Sequence, residues 1–283
     1  MKAVVALASI LALTSVALAG ATASAAPGIQ PGPGDWRTPD PENVLVIDTN
    51  QGRVIVELTP AVAPLTVERV KTLTRQHVYD GLTFFRVVED FMDQTGDPKN
   101  TGEGDSALPN VPGEFSFRRS PSTPFVTIDR AGGSEVGFVG PLPVESKPIA
   151  LAAMTADGKV PAIGLFCAGA IGFARTEDPN SGNSQFFLMR YDHAPLNGKY
   201  TAFGRVIAGE TVVRSIKAGE PVPAPQDKMF KVQILADMPA ASRPQVRVLD
   251  TASAYFAKRV AVAKAAAGDD FNPCDLEILS EVK

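Results

Sequence analysis

The sequence is poor in the residues on which most hydrolytic and metal-dependent enzymes depend. It has only two histidines, His77 and His193, and only two cysteines, Cys167 and Cys274. Their spacing matches no metal-ligand pattern, and neither a Gly-x-Ser-x-Gly nor a His-Glu-x-x-His motif is present. We therefore expect no metal, no cofactor, surface histidines, and no hydrolysis through a triad or a metal-bound water.

Basic clusters are missing as well. No run of lysines or arginines occurs, the net charge is −4 and the isoelectric point is near 5.3, whereas nucleic-acid binding needs a clustered basic face. The glycine-rich stretch GDPKNTGEGDS (residues 96–106) lacks the Gly-Lys-Ser/Thr ending and the following helix of a phosphate-binding loop. We expect no nucleic-acid partner and no P-loop chemistry.

Residues 1–25 have the composition of a secretory signal peptide. Met1-Lys2 gives a positive start, an Ala/Val/Leu-rich stretch follows, and Ala23-Ser24-Ala25 has the small-x-small pattern that signal peptidase recognises. The alternative is a membrane anchor, since the apolar stretch is almost long enough to span a bilayer. Its many Ala, Ser, Thr and Gly residues favour cleavage after Ala25. We then expect a periplasmic or secreted protein with no membrane contact.

Short strand patterns dominate the chain after residue 42. Two β-branched runs flank an Asn-Gln-Gly turn within residues 43–60, which predicts a hairpin. A helical pattern begins at Pro64, and a second, short one lies in residues 208–219. Many short strands with only two core helices favour a closed β-barrel, because closure removes exposed strand edges. Further strands are predicted at residues 83–88, 91–95, 170–174, 185–190, 200–207 and 229–236.

Three segments lie outside this pattern. Residues 26–42 are rich in proline and glycine and predict an extended linker. Residues 116–166 carry many prolines and glycines with weak periodicity, which predicts a long insertion in the compact body. Residues 239–283 form a C-terminal extension, with an alanine-rich helical pattern over about 250–267.

Polar side chains interrupt the apolar strands FFRVVEDFMDQTGDP (residues 84–98) and NSGNSQFFLM (residues 180–189). Side chains alternate faces along a strand, so Met92 shares a face with Gln94, and Gln185 shares one with Phe187. A patch of Phe and Met side chains with one guanidinium, Arg86, and two amides is a candidate pocket for a part-polar ligand. The same spacing is equally compatible with a purely structural role.

Longer motifs decide between these alternatives. YDGLTFFRVVEDFMDQTGDP, SGNSQFFLM and LNGKYTAFGRV resemble, in this order, the signature segments of the cyclophilins, and ARTEDPNSGNSQFF is similar to their bacterial branch. Cyclophilins are peptidyl-prolyl cis-trans isomerases. The resemblance implies a cyclophilin-like domain over residues 43–238. It further implies a mainly β fold, a closed eight-stranded antiparallel barrel capped by two helices, with the insertion and a helical C-terminal extension added to it.

The resemblance also implies the roles of individual residues. Arg86 matches the catalytic arginine, and Gln94 and Gln185 match the amides that hold the substrate backbone. Residues of the proline pocket are Phe91, Met92, Phe187 and Leu196. Residues of the segment that pairs with the bound peptide are Ala174, Arg175 and Thr176, and Tyr200 stands where many members have histidine. The implied partners are proline-containing segments of unfolded or partly folded proteins, bound by a monomer.

The implied chemistry agrees with the physics of the X-Pro bond. Rotation is resisted because the nitrogen lone pair is shared with the carbonyl, which gives a barrier of ~18–20 kcal/mol. An arginine that hydrogen-bonds to the prolyl nitrogen localises that lone pair and favours the twisted state, provided the bond is stronger in the transition state. The main alternative is a cyclophilin-fold binding or chaperone module with weak or no catalysis. An unrelated β-barrel hydrolase lacks a nucleophile.

Three departures from the family bear on this expectation: Pro195 stands where many members have a rim tryptophan, and the insertion and the C-terminal extension are additional. The two cysteines fall in or beside these additions. An oxidising compartment permits a bond between Cys167 and Cys274, which would attach both segments to the barrel. Two separate buried thiols are the alternative, since free cysteine packs as a small apolar residue.

Overall fold

The computed structural model describes residues 30–283. Within that range no helix combines the length and the apolar character needed to cross a membrane. The expected signal peptide, residues 1–25, and the start of the expected linker lie outside the described residues.

The strands are β1 (Trp36–Arg37), β2 (Val44–Thr49), β3 (Gly52–Leu58), β4 (Arg86–Val88), β5 (Met92–Thr95), β6 (Phe117–Arg119), β7 (Phe125–Ala131), β8 (Ser134–Val139), β9 (Leu142–Ser146), β10 (Val160–Gly164), β11 (Ala170–Phe173), β12 (Phe186–Met189), β13 (Thr201–Ala208), β14 (Met229–Ile234), β15 (Val246–Leu249) and β16 (Ser280–Val282). The helices are α1 (Pro64–Arg75), α2 (Glu210–Ser215) and α3 (Ala254–Ala267), with short 3-10 turns between elements.

An eight-stranded antiparallel sheet in the order β14-β2-β3-β13-β11-β12-β5-β4 forms the body of the protein. Its two edge strands are linked only by isolated bridges, Thr83–Lys228 and Val87–Gly219. The prediction of a closed barrel is therefore wrong, and the sheet is a curled half-barrel. The physical reason lies in residues 219–228, where three prolines lack the backbone N–H groups that a continuous ladder would need.

The helix α1 packs into the concave side of this sheet. Its Val67, Val70 and Leu73 are buried in the same core as the inward side chains of the strands. The helix begins at a proline, and the carboxylate of Glu114 accepts hydrogen bonds from the next two N–H groups, of Leu65 at 3.0 Å and Thr66 at 2.8 Å. A residue next to the insertion therefore caps the first turn.

The insertion folds as a second antiparallel sheet, in the order β6-β10-β9-β8-β7. It packs against the outside of the main sheet. Apolar residues of the insertion share one buried cluster with residues of the main sheet and of the loop before β11: Val139, Leu142, Val144 and Ala162 with Met92, Phe166, Phe187 and Met189. The insertion therefore packs on the outer face of the main sheet and is not a detached module.

The C-terminal extension covers another part of the outer face of the main sheet, over β2. The run Val-Leu-Val-Ile in β2 is buried on both faces, with Leu45 and Ile47 in the inner core and Val44 and Val46 packed under the extension. β15 lies between β1 and β16, and α3 packs Phe256 edge-on against a phenylalanine of the insertion. The described part of the expected linker thus contains a strand, β1, that pairs with the extension.

A disulfide joins Cys167, between β10 and β11, to Cys274 in the extension, with a Cα–Cα distance of 5.1 Å. It connects the end of the insertion to the last part of the chain.

Candidate active site

The strand register brings the predicted polar residues together. Arg86 on β4 lies opposite Gln94 on β5, and Gln94 lies opposite Phe187 on β12. The Arg86 Nη1 group donates to the Gln94 side-chain oxygen at 3.4 Å, and Gln94 Nε2 donates to the Gln185 oxygen at 3.0 Å. A row of guanidinium and two amides therefore crosses the surface of the sheet.

The loop before β6 holds the far end of this row. Gln185 Nε2 donates to the carbonyl oxygens of Gly102 at 3.1 Å and Gly104 at 3.0 Å. That loop is shaped by Asp97, whose carboxylate accepts three or more backbone hydrogen bonds, including one from Lys99 at 2.7 Å. Burial of Asp97 acts to raise its pKa, but the backbone N–H groups that donate to it outweigh this and lower the pKa below its ordinary value.

An apolar hollow of about 140 Å³ opens beside Arg86. Four of its lining residues are those that the resemblance assigns to the proline pocket: Phe91, Met92, Phe187 and Leu196. The other lining residues are Arg86, Gln94, Ala174, Arg175 and Tyr200. Most of the lining residues come from β5 and β12 or from the turn between β12 and β13. The lining combines apolar and aromatic side chains with two guanidinium groups and one amide.

Neighbouring aromatic rings hold Phe187 in the wall of this hollow. The Phe187 ring stacks on Phe166 at a centroid distance of 5.8 Å and meets Tyr200 edge-on at 6.0 Å. Gly172 lies opposite Phe187 on β11, and a Cβ there would come within 2.2 Å of the Phe187 ring. His193, expected at the surface, is half-buried and packs on Phe91 at 4.4 Å.

Arg175 borders both this hollow and a second one. Its guanidinium lies over the ring of Tyr200 at 4.4 Å and that of Phe115 at 5.2 Å, and it donates to the carbonyl of Lys199 at 2.9 Å. The second hollow, about 100 Å³, contains both glutamine side chains at one end. Its other lining residues are Gly102, Asp105, Ala174, Thr176, Ser181 and Asn183.

The structure thus collects every predicted site residue around two adjoining hollows. Thr176 and Gln185 lie in the second hollow alone, whereas Gln94, Ala174 and Arg175 border both. Sequence reasoning missed Asp105, which lies in the glycine-rich stretch, and Glu220, which forms an ion pair with Arg86 at 2.9 Å. Asp105 could have been suspected from its loop, but no sequence signal points from Glu220 to Arg86.

Comparison with known proteins agrees with this geometry. The family model described as "Cyclophilin type peptidyl-prolyl cis-trans isomerase/CLD" matches residues 44–236, more than half of the chain. The chain belongs to the cyclophilin family. By family and by the names of its relatives, it is a cyclophilin-type peptidyl-prolyl cis-trans isomerase.

The relatives of this cyclophilin include bacterial isomerases. A "Probable peptidyl-prolyl cis-trans isomerase" of Brucella suis is 34% identical over 214 residues, covering 70% of this chain and 85% of the relative. A "Putative peptidyl-prolyl cis-trans isomerase" of Staphylococcus aureus is 30% identical, covering 65% and 84% respectively. The crystal structure of cyclophilin AquaCyp293 from Hirschia baltica matches with a TM-score of 0.80 and 34% identity, over 88% of this chain and 94% of that one. This structural likeness extends beyond the residues that the family model matches.

Proposed function

We propose that this cyclophilin accelerates X-Pro rotation through Arg86, which donates a hydrogen bond to the prolyl nitrogen while the adjoining hollow holds the ring. The observation that carries the proposal is the placement of the Arg86 guanidinium beside Phe91, Met92 and Phe187 in the lining of a hollow of about 140 Å³. A bond to the nitrogen lone pair forms only as that lone pair leaves conjugation, so it stabilises the twisted state more than either planar isomer.

The remaining residues have positioning roles in this proposal. The apolar walls, above all Phe187 and Met92, keep the ring fixed while the preceding carbonyl turns. Gln94 and Gln185 offer amide groups to the substrate backbone, and the exposed segment around Arg175 and Thr176 lies beside them. No proton transfer, covalent intermediate, metal or cofactor is needed for this chemistry.

The proposed substrates are proline-containing segments of exported proteins that are still unfolded or partly folded, and the proposed site of action is the periplasm or the exterior. The composition of residues 1–25 and the disulfide support this proposal, because disulfides persist mainly in oxidising compartments. N-terminal sequencing of protein recovered from a periplasmic or secreted fraction should begin at Ala26. A chain that keeps residues 1–25 in the cytoplasm would contradict the proposal.

A binding or chaperone module with weak catalysis is the second candidate. It is favoured by Pro195, which replaces the rim tryptophan of many members, and by the added insertion and extension. The insertion, however, packs against side chains that line the hollow, and none of its own residues lines it.

A protease-coupled isomerisation assay on residues 26–283 separates the two candidates. We expect the wild-type protein to accelerate cis-trans exchange of a short neutral X-Pro peptide in proportion to enzyme concentration. Phe187→Ala should weaken turnover mainly through a higher KM, whereas Phe230→Ala, which removes an exposed phenylalanine of β14, is the matched control and should have no effect. Peptide binding without any acceleration would favour the binding module.

A further inference from the structure

The guanidinium of Arg86 has two protein partners that contact different terminal nitrogens. Nη1 donates to the Gln94 amide oxygen at 3.4 Å, and Nη2 lies 2.9 Å from a carboxylate oxygen of Glu220. Both members of the ion pair are partly exposed, with side-chain accessibilities of 40% for Arg86 and 48% for Glu220. A substrate that reaches Arg86 therefore also meets the carboxylate.

The backbone around Glu220 is anchored to the strand that carries Arg86. Gly219 and Val87 exchange two backbone hydrogen bonds, at 2.8 and 2.9 Å, and the buried Val222 donates from its N–H to the Phe85 carbonyl at 3.0 Å. A Cβ at position 219 would come within 2.9 Å of three atoms of residues 221–223, so this turn is close-packed. Glu220 thus lies between Gly219 and Val222, whose backbones are both hydrogen-bonded to the residues on either side of Arg86. The fold therefore sets the position of Glu220 beside Arg86.

Stability alone does not explain this pair. Exposed ion pairs contribute little to folding, and the turn is already held by backbone hydrogen bonds and by buried Val222. The pair does change the charge of the site. The charged side chains that line the apolar hollow are Arg86 and Arg175, both cationic. Glu220 places a carboxylate next to the first of them, and Glu220 makes no other ion pair among the described residues.

We propose that Glu220 is a specificity-determining residue, which selects proline segments carrying a basic side chain on the flank that passes the Arg86–Glu220 pair, and which disfavours acidic ones there. This inference rests on the proposed function and names a substrate class for the same site. Because Gln94 and Glu220 hold different nitrogens of Arg86, one flank of the peptide runs over Gln94 and Gln185 towards the second hollow. The opposite flank then passes Glu220. Arg86 without Glu220 would attract acidic side chains on that flank; the carboxylate opposes this attraction and offers an oxygen to lysine or arginine.

The test uses matched neutral peptides into which one Lys or one Glu is placed, either before or after the proline. The ratio of kcat/KM for the Lys peptide to that for the Glu peptide is measured at low salt for the wild-type protein and for Glu220→Gln. For the wild-type protein we expect a ratio above one on a single flank. In Glu220→Gln this ratio should fall about fivefold, because the variant lacks the charge that attracts the Lys peptide and repels the Glu peptide. The turnover of the neutral peptide is measured alongside, as the reference for each variant.

The matched control is Glu210→Gln, which removes an equally charged, partly exposed glutamate from its ion pair with Arg214 on α2. Its ratios should equal those of the wild-type protein. A wild-type ratio that Glu220→Gln leaves unchanged, or a change of equal size on both flanks, would overturn the proposal. Neutral-peptide turnover tests the proposed function separately. If that turnover is absent, the same ratios are taken from calorimetric Kd values; lack of both turnover and binding would overturn both proposals.

Discussion

At the scale of single residues, Pro195 is the clearest departure from the family. It lies exposed in the short 3-10 turn Ala194–Leu196, next to Leu196 of the apolar hollow. In many cyclophilins a tryptophan at this place donates an indole hydrogen bond to cyclosporin, and proline has no such donor.

We therefore expect weak cyclosporin inhibition together with ordinary peptide turnover. Pro195→Trp should strengthen inhibition by about tenfold, the equivalent of one hydrogen bond of ~1.4 kcal/mol. Inhibition constants from the isomerisation assay check this. Tight inhibition of the wild-type protein, unaffected by Pro195→Trp, would show that another residue supplies the donor.

Residues of the site differ in how far the sequence could reveal them. Arg86, Gln94, Gln185 and Phe187 belong to long motifs, so their place in the hollow follows from local pattern together with resemblance. Glu220 is an exposed loop residue, and only the backbone bridge between residues 219 and 87 brings it to Arg86. Contacts of that kind depend on tertiary structure, and no spacing along the chain encodes them.

At the scale of elements, the strands of the main sheet agree with the predicted patterns, since alternating or continuous apolar runs mark them. The insertion sheet was not predicted as strands. Two of its inner strands contain a proline, Pro143 in β9 and Pro161 in β10, and proline within a run normally argues against a central strand. Closure of the barrel was wrongly predicted because strand patterns cannot show whether the edge strands meet.

One buried ion pair connects several elements of the main sheet. Arg190, directly after β12, donates through Nε to Asp93 on β5 at 2.6 Å and through Nη2 to carbonyls at the end of α2, including that of Ile216. Both side chains are almost fully buried. Burial raises the pKa of Asp93 to about 7, although Arg190 acts in the opposite direction.

Removal of Arg190 should therefore be strongly destabilising. Arg190→Met leaves a buried carboxylate without its partner, and we expect the free energy of unfolding to fall by about 3–5 kcal/mol near pH 8. Urea unfolding at equilibrium measures this. Asp93→Leu combined with Arg190→Met should be less destabilising than Arg190→Met alone, and a fully additive double variant would contradict the pairing.

The loss should also depend on pH. Because the folded-state pKa of Asp93 lies above its unfolded value, this group contributes stability at low pH, and that contribution is lost as the pH rises to about 7. Without Arg190 the folded-state pKa is raised further, so a protonated Asp93 relieves part of the loss at pH 5. We expect Arg190→Met to be less destabilising at pH 5 than at pH 9. An equal loss at both values would contradict this assignment.

At the scale of the whole molecule, the additions to the family domain form part of one packed body. The insertion shares a core with the proline hollow, the extension shares another with β2, and the disulfide joins the two additions. Cys167 follows Phe166, whose ring stacks on Phe187 of the hollow, so the bond lies one residue from a ring that supports the wall.

Loss of the disulfide should therefore weaken the folded state. It closes a loop of 107 residues, and in the chain-entropy model a loop of about 100 residues contributes up to ~4.7 kcal/mol. We expect Cys274→Ser to lower the free energy of unfolding by about 2–4 kcal/mol, measured by urea unfolding. Intact mass after alkylation under denaturing, non-reducing conditions should show no free thiol in the wild-type protein. Two alkylated thiols would contradict the bond.

The central claim is that Arg86 drives the rotation, and the rate of X-Pro exchange in Arg86 variants tests it most directly. We expect Arg86→Ala to lose about a hundredfold or more of kcat/KM while its unfolding curve stays unchanged. Arg86→Lys should also be poor, because a point charge does not reproduce the planar fork of the guanidinium. Arg118→Ala, which removes an exposed arginine of the insertion, is the control and should retain full activity. Arg86→Ala with wild-type activity would contradict the account.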